Sequence, residues 1–336
     1  EASFPEWGVI SAGIGLAGAF YAVAAGLPQD DPKTVLAYSS VSQMGILTVG
    51  MGMGLMRAED WPACLAALSI YSLHHGLTKG ALFLGVGVAE ARGGIGSRRL
   101  TAAGLLWLSL GMAGAPLTGG FVAKASLKSA VSLSPGAWPA ALGWLLPLTA
   151  AGTAALMGRF LFLLWTRARG AEGSGPGARL LFPWAGLVAC AGIVPWLWPQ
   201  DAFFDPARSL SPSRLAGASW PVLAGGLLAW AQFRFSARRR VPSPPPIPPG
   251  DLLEVLSLLA GRLTKGFDRI RKAYFPPREK DLISRKAIFE KQISGIPGAL
   301  QRVEVSLSRW SAALTLFLLL GGILFTWMLL QTYRGG

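Results

Sequence analysis

The sequence predicts an all-α polytopic membrane protein with about eight transmembrane helices, one of them broken, and a cytoplasmic-side amphipathic lateral segment. Of the 336 residues, 52% are hydrophobic and only 14% are charged, and the mean hydropathy is +0.45. This composition is typical of membrane proteins and unusual for a soluble domain. Basic residues are concentrated in short loops and in one long polar segment. The net charge of +14 therefore reflects membrane topology, and we expect no nucleic-acid partner.

Apolar stretches long enough to cross a bilayer, about 20 residues each, recur along the chain. They lie at 8–27, 34–56, 62–90, 101–133, 138–166, 180–198, 218–235 and 310–333. No basic stretch followed by an apolar core opens the chain, so we predict no secretory signal peptide.

The fourth stretch is too long for one straight helix and carries the run A-G-A-P-L-T-G-G at 113–120. Proline removes a backbone donor and glycine loosens a helix, so we expect a break there. Broken helices at membrane depth occur where they are buried in protein or line a wet cavity, and they are common in transporters.

The charged residues of successive loops fall into two groups, and this distribution predicts the orientation. One group is strongly basic and contains Lys33, Arg92, Arg98, Arg99, Arg167, Arg169, Arg179, Arg234 and the arginines at 238–240. The other is mixed and contains Glu1, Glu6, Arg57, Glu59, Asp60, Asp201, Asp205, Arg208 and Arg214. The basic group marks the cytoplasmic side, so both termini are predicted on the non-cytoplasmic side.

A polar segment separates the last two predicted spans. Residues 242–249 form a proline-rich linker, and 251–271 repeat apolar residues at helical spacing beside a basic face. A second such stretch covers 281–309 and is interrupted at 295–298. Two interpretations remain open: a basic helix lying on anionic lipid headgroups, or a lateral helix that braces neighbouring subunits.

The third span carries ionisable side chains on one helix face. Tyr71, His75 and Lys79 follow at intervals of four, and Glu90 returns to nearly the same face about three turns later. A charge at the centre of a bilayer is costly, burial favours the neutral form of a lysine, and histidine titrates near neutral pH. We therefore interpret this face as a proton path.

The alternative for each of these groups is a hydrogen bond to a neighbouring helix without any transport role. For His74, which points away from that face, the structural interpretation is preferred. Thr78 serves either as a relay hydroxyl or, in the preferred interpretation, as the partner of a backbone carbonyl.

Further basic residues lie beyond the break. Lys124 follows it closely and is the candidate for a second titrating site, whereas Lys128, one turn later, either contributes to the path or extends its ammonium group to the interface. Arg159 is either an anchor at the headgroups or an electrostatic partner of the path.

The sequence contains no phosphate-binding loop, dinucleotide fingerprint, cysteine cluster or paired haem ligands. We therefore predict no cofactor, no metal site and no catalytic residue in this chain. Uphill transport would need energy from a partner or from an ion gradient.

Three motifs resemble one family. Residues 33–45, K-T-V-L-A-Y-S-S-V-S-Q-M-G, resemble the K-x-x-L-A-Y-S-S-I/V-S-Q-x-G signature of the antiporter-like subunits of respiratory complex I. Residues 71–84 resemble the H-x-x-x-H-A-x-x-K-A-L-L-F-L helix that follows, and 114–124 resemble its G-x-P-x-x-x-G-F-x-x-K segment. The same family includes Mrp-type cation/proton antiporters and the membrane arms of energy-converting hydrogenases.

The resemblance assigns roles residue by residue. It implies that His75 and Lys79 are the family's second histidine and central lysine, and that Lys124 is the lysine of the distal path on the broken helix. Tyr71 stands where the first histidine usually is, and Ala125 and Ser126 replace the acidic residues that commonly follow the distal lysine.

The similarity is continuous over about 16–166 and looser beyond, where it implies a lateral helix before the last span. It also implies an earlier repeat with a glutamate and another lysine, which this sequence lacks. Either another polypeptide supplies that repeat or the chain is incomplete. The implied partners are this second chain, other membrane subunits and the lipid bilayer, in a bacterial or organellar energy-conserving inner membrane.

We therefore divide the chain into an antiporter-like core (1–200), an additional transmembrane helix (201–236), a linker with the lateral helix (237–309) and a last span (310–336). The predicted function is proton translocation by the distal half of an antiporter-like channel, as a non-redox subunit of an NADH/quinone dehydrogenase-like or hydrogenase-like oxidoreductase. The alternatives are a half-subunit of a Na⁺/H⁺ antiporter without a redox partner and a non-conducting membrane scaffold.

Overall fold

In the computed structural model, residues 3–91, 95–167, 177–197 and 210–238 are described. The chain divides into two compact units, Glu1–Pro249 and Gly250–Gly336, and all described residues belong to the first. The predicted proline-rich linker, lateral helix and last span lie outside the described residues.

The described residues form α-helices with one short 3₁₀ turn and no strand, which confirms the all-α prediction for this part of the chain. The 3₁₀ turn covers Ala58–Asp60. The helices are α1 (Pro5–Gly26), α2 (Pro32–Met56), α3 (Trp61–Glu90), α4 (Ile95–Ala113), α5 (Gly119–Val131), α6 (Trp138–Arg167), α7 (Ala178–Leu197) and α8 (Pro212–Arg238).

Every predicted span up to 235 coincides with a helix or, for the fourth, with the pair α4 and α5. Among the described residues, three helices are long and apolar enough to cross a membrane: Pro5–Gly26, Trp138–Thr166 and Arg179–Leu197. Helices such as α3 fall below that hydropathy because they carry buried polar groups. The total of about eight spans stays a prediction.

Helix α2 begins where local sequence chemistry places it. The Asp31 carboxylate accepts a hydrogen bond from the Thr34 backbone N–H at 2.9 Å, and Pro32 occupies the first helical position. An acidic cap and a proline are favoured there because the first backbone donors of a helix lack intrahelical partners.

Helices α1 and α2 pack closely through small residues. A Cβ atom on Gly45 would lie 2.4 Å from the Gly15 carbonyl oxygen, and one on Gly52 would lie 2.6 Å from that of Gly8. Small residues let two backbones approach closely, which is the usual basis of helix association in membranes.

Two apolar clusters flank the polar middle of α3. One includes Leu36, Leu82 and Phe160, each fully buried. The other includes Val49 and Met53. Because α3 contributes Ala63–Tyr71 to the second cluster and Ala81–Val88 to the first, His74, His75 and Lys79 lie between two dry regions.

Hydrogen bonds group the loops into two ends of the bundle. At one end, the Phe4 N–H donates to Leu55 O at 2.9 Å, and Arg57 Nη1 donates to Leu133 O at 3.4 Å. At the opposite end, Gln232 Nε2 donates to Leu27 O at 2.9 Å.

Candidate functional site

The predicted polar face of α3 is buried. Tyr71, His75 and Lys79 are 2%, 8% and 6% exposed, and His74 is 5% exposed. A charged or polar group this deep needs partners, because an unpaired one would incur the full cost of desolvation.

Lys79 finds its partners on α2. Its Nζ donates to Leu36 O at 2.6 Å and also donates to Ser39 Oγ. The Ser39 hydroxyl in turn donates to the same Leu36 carbonyl at 3.0 Å. An ammonium group carries three donors, so these two bonds leave one position on the nitrogen for exchange.

Tyr71 joins a hydrogen-bonded bridge across three helices. Its hydroxyl donates to Gln43 Oε1 at 2.5 Å, and Gln43 Nε2 donates to Thr153 Oγ1 of α6 at 2.8 Å. Thr153 donates onward to Thr149 O at 2.9 Å. The bridge satisfies the buried polar groups of α2, α3 and α6 together.

The predicted helix break is present between α4 and α5. Gly114, at a φ of 82°, ends α4 in a left-handed conformation. The Gly114 N–H donates to Gly111 O and the Ala115 N–H donates to Leu110 O, both at 2.9 Å. This pairing is a Schellman motif, which closes a helix without hydrogen-bonding the carbonyl of its last residue.

Lys124 binds that carbonyl. Its Nζ reaches back across the break and donates to Ala113 O at 2.9 Å. The C-terminal end of a helix carries a partial negative charge that attracts a cation. The break therefore holds the second lysine in place.

His74 lies at the same break. A Cβ atom on Gly120 would lie 2.8 Å from its Nε2, and one on Gly119 would lie 3.2 Å from its Nδ1. The ring also contacts the backbone of Ala191 in α7, and Thr78 Oγ1 lies 3.4 Å from it. These contacts pack the His74 ring against the break, and the structural interpretation of His74 stays a prediction.

His75 lies within electrostatic range of both lysines. Its Nδ1 is buried and has no hydrogen-bond partner among the described residues. Lys79 and Lys124 both act on it electrostatically. The structure thus brings His75, Lys79 and Lys124 into one electrostatic cluster.

The other predicted site residues lie apart from this cluster. Glu90 is exposed at the end of α3, about 16 Å along the helix from Lys79, and the buried side chains of Leu82 and Val86 lie between them. Lys128 is exposed on α5. Arg159 donates to Asp30 Oδ1 at 2.8 Å and to Gln29 O at 3.1 Å.

Sequence reasoning did not single out Ser39, Gln43 or Thr153, which hold the buried polar groups. Ser39 and Gln43 stand inside the S-S-V-S-Q run at 39–43, so a signal was available. Thr153 has no such motif around it. Among the described residues, no group of three or more His, Cys, Asp or Glu side chains could hold a metal ion.

Comparison with protein families gives one match. Residues 2–146 match the model of the transmembrane domain of the NADH:quinone oxidoreductase/Mrp antiporter family. Over these residues the chain is similar to the antiporter-like subunits of this family. The family consists of multi-pass membrane proteins, and the match confirms the resemblance read from the motifs.

Relatives of this antiporter-like chain come from both branches of the family. The putative antiporter subunit mnhA2 of Staphylococcus haemolyticus is 33% identical over 142 residues, which cover 36% of this chain and 18% of that protein. The NADH-quinone oxidoreductase subunit N of a Nocardioides species is 35% identical over 126 residues, covering 33% of this chain and 23% of that protein.

A chain of the Mrp complex from Dietzia sp. DQ12-45-1b shares the fold, with a TM-score of 0.62 at 22% identity. The similarity covers 88% of the antiporter-like chain described here and 34% of that chain. The chain thus spans about a third of the length of its structural relative, and its matches cover less than a quarter of the two sequence relatives.

Proposed function

We propose that this antiporter-like chain translocates protons as the distal half of a channel in a larger, redox-driven membrane complex. One observation carries the proposal. Two lysines in the bundle donate hydrogen bonds to backbone carbonyls, Lys79 to Leu36 O and Lys124 to Ala113 O, and the buried His75 imidazole lies within electrostatic range of both.

Lys79 is suited to gain and lose a proton in place. A neutral amine keeps two hydrogens, enough for the bonds to Leu36 O and Ser39 Oγ, and presents its lone pair in the remaining direction. Protonation fills that direction without breaking either bond. Proton exchange at Lys79 therefore needs little rearrangement.

His75 supplies the adjoining exchange group. Its Nδ1 has no partner among the described atoms, so it is free to accept or donate, and imidazole titrates near neutral pH in water. A positive charge on either lysine disfavours a second one on His75, because like charges repel more strongly at low dielectric. A proton on one group of the cluster thus drives the next group to release its own.

We propose the sequence of transfers as entry from the cytoplasmic side through Glu90 and His75 to Lys79, passage to Lys124, and release on the far side. Water must bridge the apolar stretch between Glu90 and Lys79, since no described side chain does so. Redox chemistry in partner subunits would shift the protonation of this row. Lys128, Arg159, Tyr71 and Thr78 are accessory to it.

The decisive experiment replaces each lysine in the reconstituted complex. Lys79→Ala and Lys124→Ala should each lower proton pumping by at least about a hundredfold, the scale on which a positioned acid–base group acts. Arg179→Ala, an exposed cation at the start of α7, is the matched control. Unchanged pumping in both lysine variants would contradict the mechanism and favour a non-conducting scaffold.

A second candidate is a half-subunit of a Na⁺/H⁺ antiporter without a redox partner. The similarity to the putative antiporter subunit mnhA2 and to the fold of an Mrp complex chain favours it. Proton flux in vesicles of the purified complex should then depend on a sodium gradient. Flux that is independent of sodium and coupled to an electron donor would support the redox-driven assignment.

The partners proposed for either function are further membrane subunits. The relatives are subunits of Mrp and NADH-quinone oxidoreductase complexes. We propose an energy-conserving inner membrane as the location, with both termini on the non-cytoplasmic side.

A further inference from the structure

A cavity of about 390 Å³ opens between α5, α6 and α8. Pro147 stands within α6 and lines the cavity together with Leu146, Ala218 and Pro221. Water occupies about 30 Å³ per molecule in the liquid, so the space greatly exceeds a single ordered water. Its volume lies in the range of ligand-binding pockets.

The wall of this cavity is mostly apolar but carries three basic side chains. Lys128 and Arg214 are exposed at its rim, and Lys124 lies deeper and only partly exposed. Among the described residues that line the cavity there is no Asp or Glu. Lys128 makes no hydrogen bond or ion pair within the described part of the chain. The site therefore combines an apolar interior with a cationic rim.

We propose that this cavity binds one anionic phospholipid, with its phosphate between Lys128 and Arg214 and an acyl chain along Leu146, Pro147 and Pro221. The lipid satisfies both halves of the site at once. Basic residues at a membrane surface attract anionic headgroups, and an acyl chain removes the apolar wall from water. A free anion would leave the apolar interior wet.

The exposure of each basic side chain determines which of them can contact the lipid phosphate. Lys128 and Arg214 are exposed, so their long side chains reach a phosphate at headgroup level. Lys124 donates to Ala113 O and is not needed as a lipid ligand. The proposal therefore does not rest on proton translocation, and a lipid-binding measurement tests it independently.

The test measures lipid binding to the purified full chain in neutral detergent by native mass spectrometry. Phosphatidylglycerol should bind at one site and phosphatidylcholine should not compete for it. Lys128→Gln and Arg214→Gln should each weaken phosphatidylglycerol binding by about fivefold, the effect of one cation near a charged surface. Arg179→Gln, which removes an exposed cation outside the cavity, should leave binding unchanged.

The apolar half is tested without changing charge. Gly217 lines the cavity, and a Cβ there meets nothing within 4 Å, so Gly217→Phe places a ring in open space. It should abolish binding. Gly226→Phe on the same helix is the control, because its Cβ is equally unobstructed and it does not line the cavity.

Three results would overturn the proposal. Equal binding of phosphatidylcholine would remove the role of charge. Displacement of the lipid by excess inorganic phosphate, with Gly217→Phe without effect, would show a free-anion site. Unchanged binding in both cation variants would place the lipid elsewhere.

Discussion

Lys79 and Lys124 of the antiporter-like core are both held by groups on another helix. Lys79 contacts Leu36 and Ser39, some forty residues earlier, and Lys124 contacts Ala113 across the helix break. Hydrogen bonds to a charged group contribute about 1.5–3 kcal/mol, and losing one in a dry site costs more than losing one at the surface. These partners therefore set the position of each ammonium group.

Replacing Ser39 should impair transport without unfolding the chain. Ser39→Ala removes one of the two hydrogen bonds of Lys79, and we expect proton flux to fall by about ten- to a hundredfold, because such a bond contributes about 1.5–3 kcal/mol. Flux assays in proteoliposomes measure the change. Ser69→Ala is the control, since Ser69 donates only to Leu65 O on an exposed face. Equal effects of the two substitutions would show that the Ser39 contact has no specific role.

The Tyr71–Gln43 bond should contribute stability as a coupled pair. Tyr71→Phe leaves Gln43 Oε1 without its donor and should destabilise the chain by about 1–3 kcal/mol in detergent unfolding. The double variant with Gln43→Leu should cost less than the sum of the single variants, because both partners are then apolar. Strict additivity would contradict the bond.

The sequence predicts which buried ionisable residues matter, but it does not predict their hydrogen-bond partners. Lys79, His75 and Lys124 can be chosen because charge in an apolar run is costly wherever the run packs. Ser39 and Thr153 cannot, since their importance depends on how α2 and α6 rotate to face α3. The sequence also could not establish a link between Glu90 and Lys79. The two residues lie on nearly the same face of α3, but the side chains between them are apolar.

At the scale of elements, the break between α4 and α5 is encoded locally. Gly114 takes a positive φ, and Thr118 caps α5 by accepting from the Phe121 N–H at 3.3 Å. Leu117 also has a positive φ of 64°, which costs a leucine roughly 1–2 kcal/mol. Sequence predicted this break because glycine and proline act through their own backbone. The return of Lys124 to Ala113 was not predictable, since it depends on the angle between the two half-helices.

A methyl group on Gly120 should disrupt the break. Its Cβ would lie 1.7 Å from Gly111 O, where α5 crosses α4, so we expect Gly120→Ala to destabilise the chain by at least about 3 kcal/mol. Gly18→Ala in α1, whose Cβ meets nothing within 4 Å, should instead stabilise by about 0.5–1 kcal/mol. Thermal denaturation in detergent compares them, and a stable Gly120→Ala variant would show that α4 and α5 separate easily.

At the scale of the whole molecule, hydrogen bonds group the loops between the described helices into two ends. The end that contains Phe4 and Arg57 is linked to Leu133, while Leu27 and Asp30 meet α6 and α8 at the other. The distribution of charge in the sequence predicted the same two groups of loops, because basic residues accumulate on one side of a membrane. The side that faces the cytoplasm is a prediction.

Single-cysteine labelling tests this orientation. In a chain with Cys64 and Cys190 replaced, an impermeant maleimide applied to intact cells should label Glu59→Cys and not Gly177→Cys, both exposed positions. Permeabilised cells should allow labelling of both, which controls for reactivity. The reverse pattern would invert the orientation, and labelling of both in intact cells would contradict the predicted alternation of the helices.

The amide of Gln43 has a consequence for how charge moves through this bundle. Its oxygen only accepts and its nitrogen only donates, so a proton arriving from Tyr71 has no route onward to Thr153 through the same atom. The bridge links α2, α3 and α6 by hydrogen bonds but does not conduct protons between them. Along this line of hydrogen bonds, no proton passes from Tyr71 through the amide to Thr153.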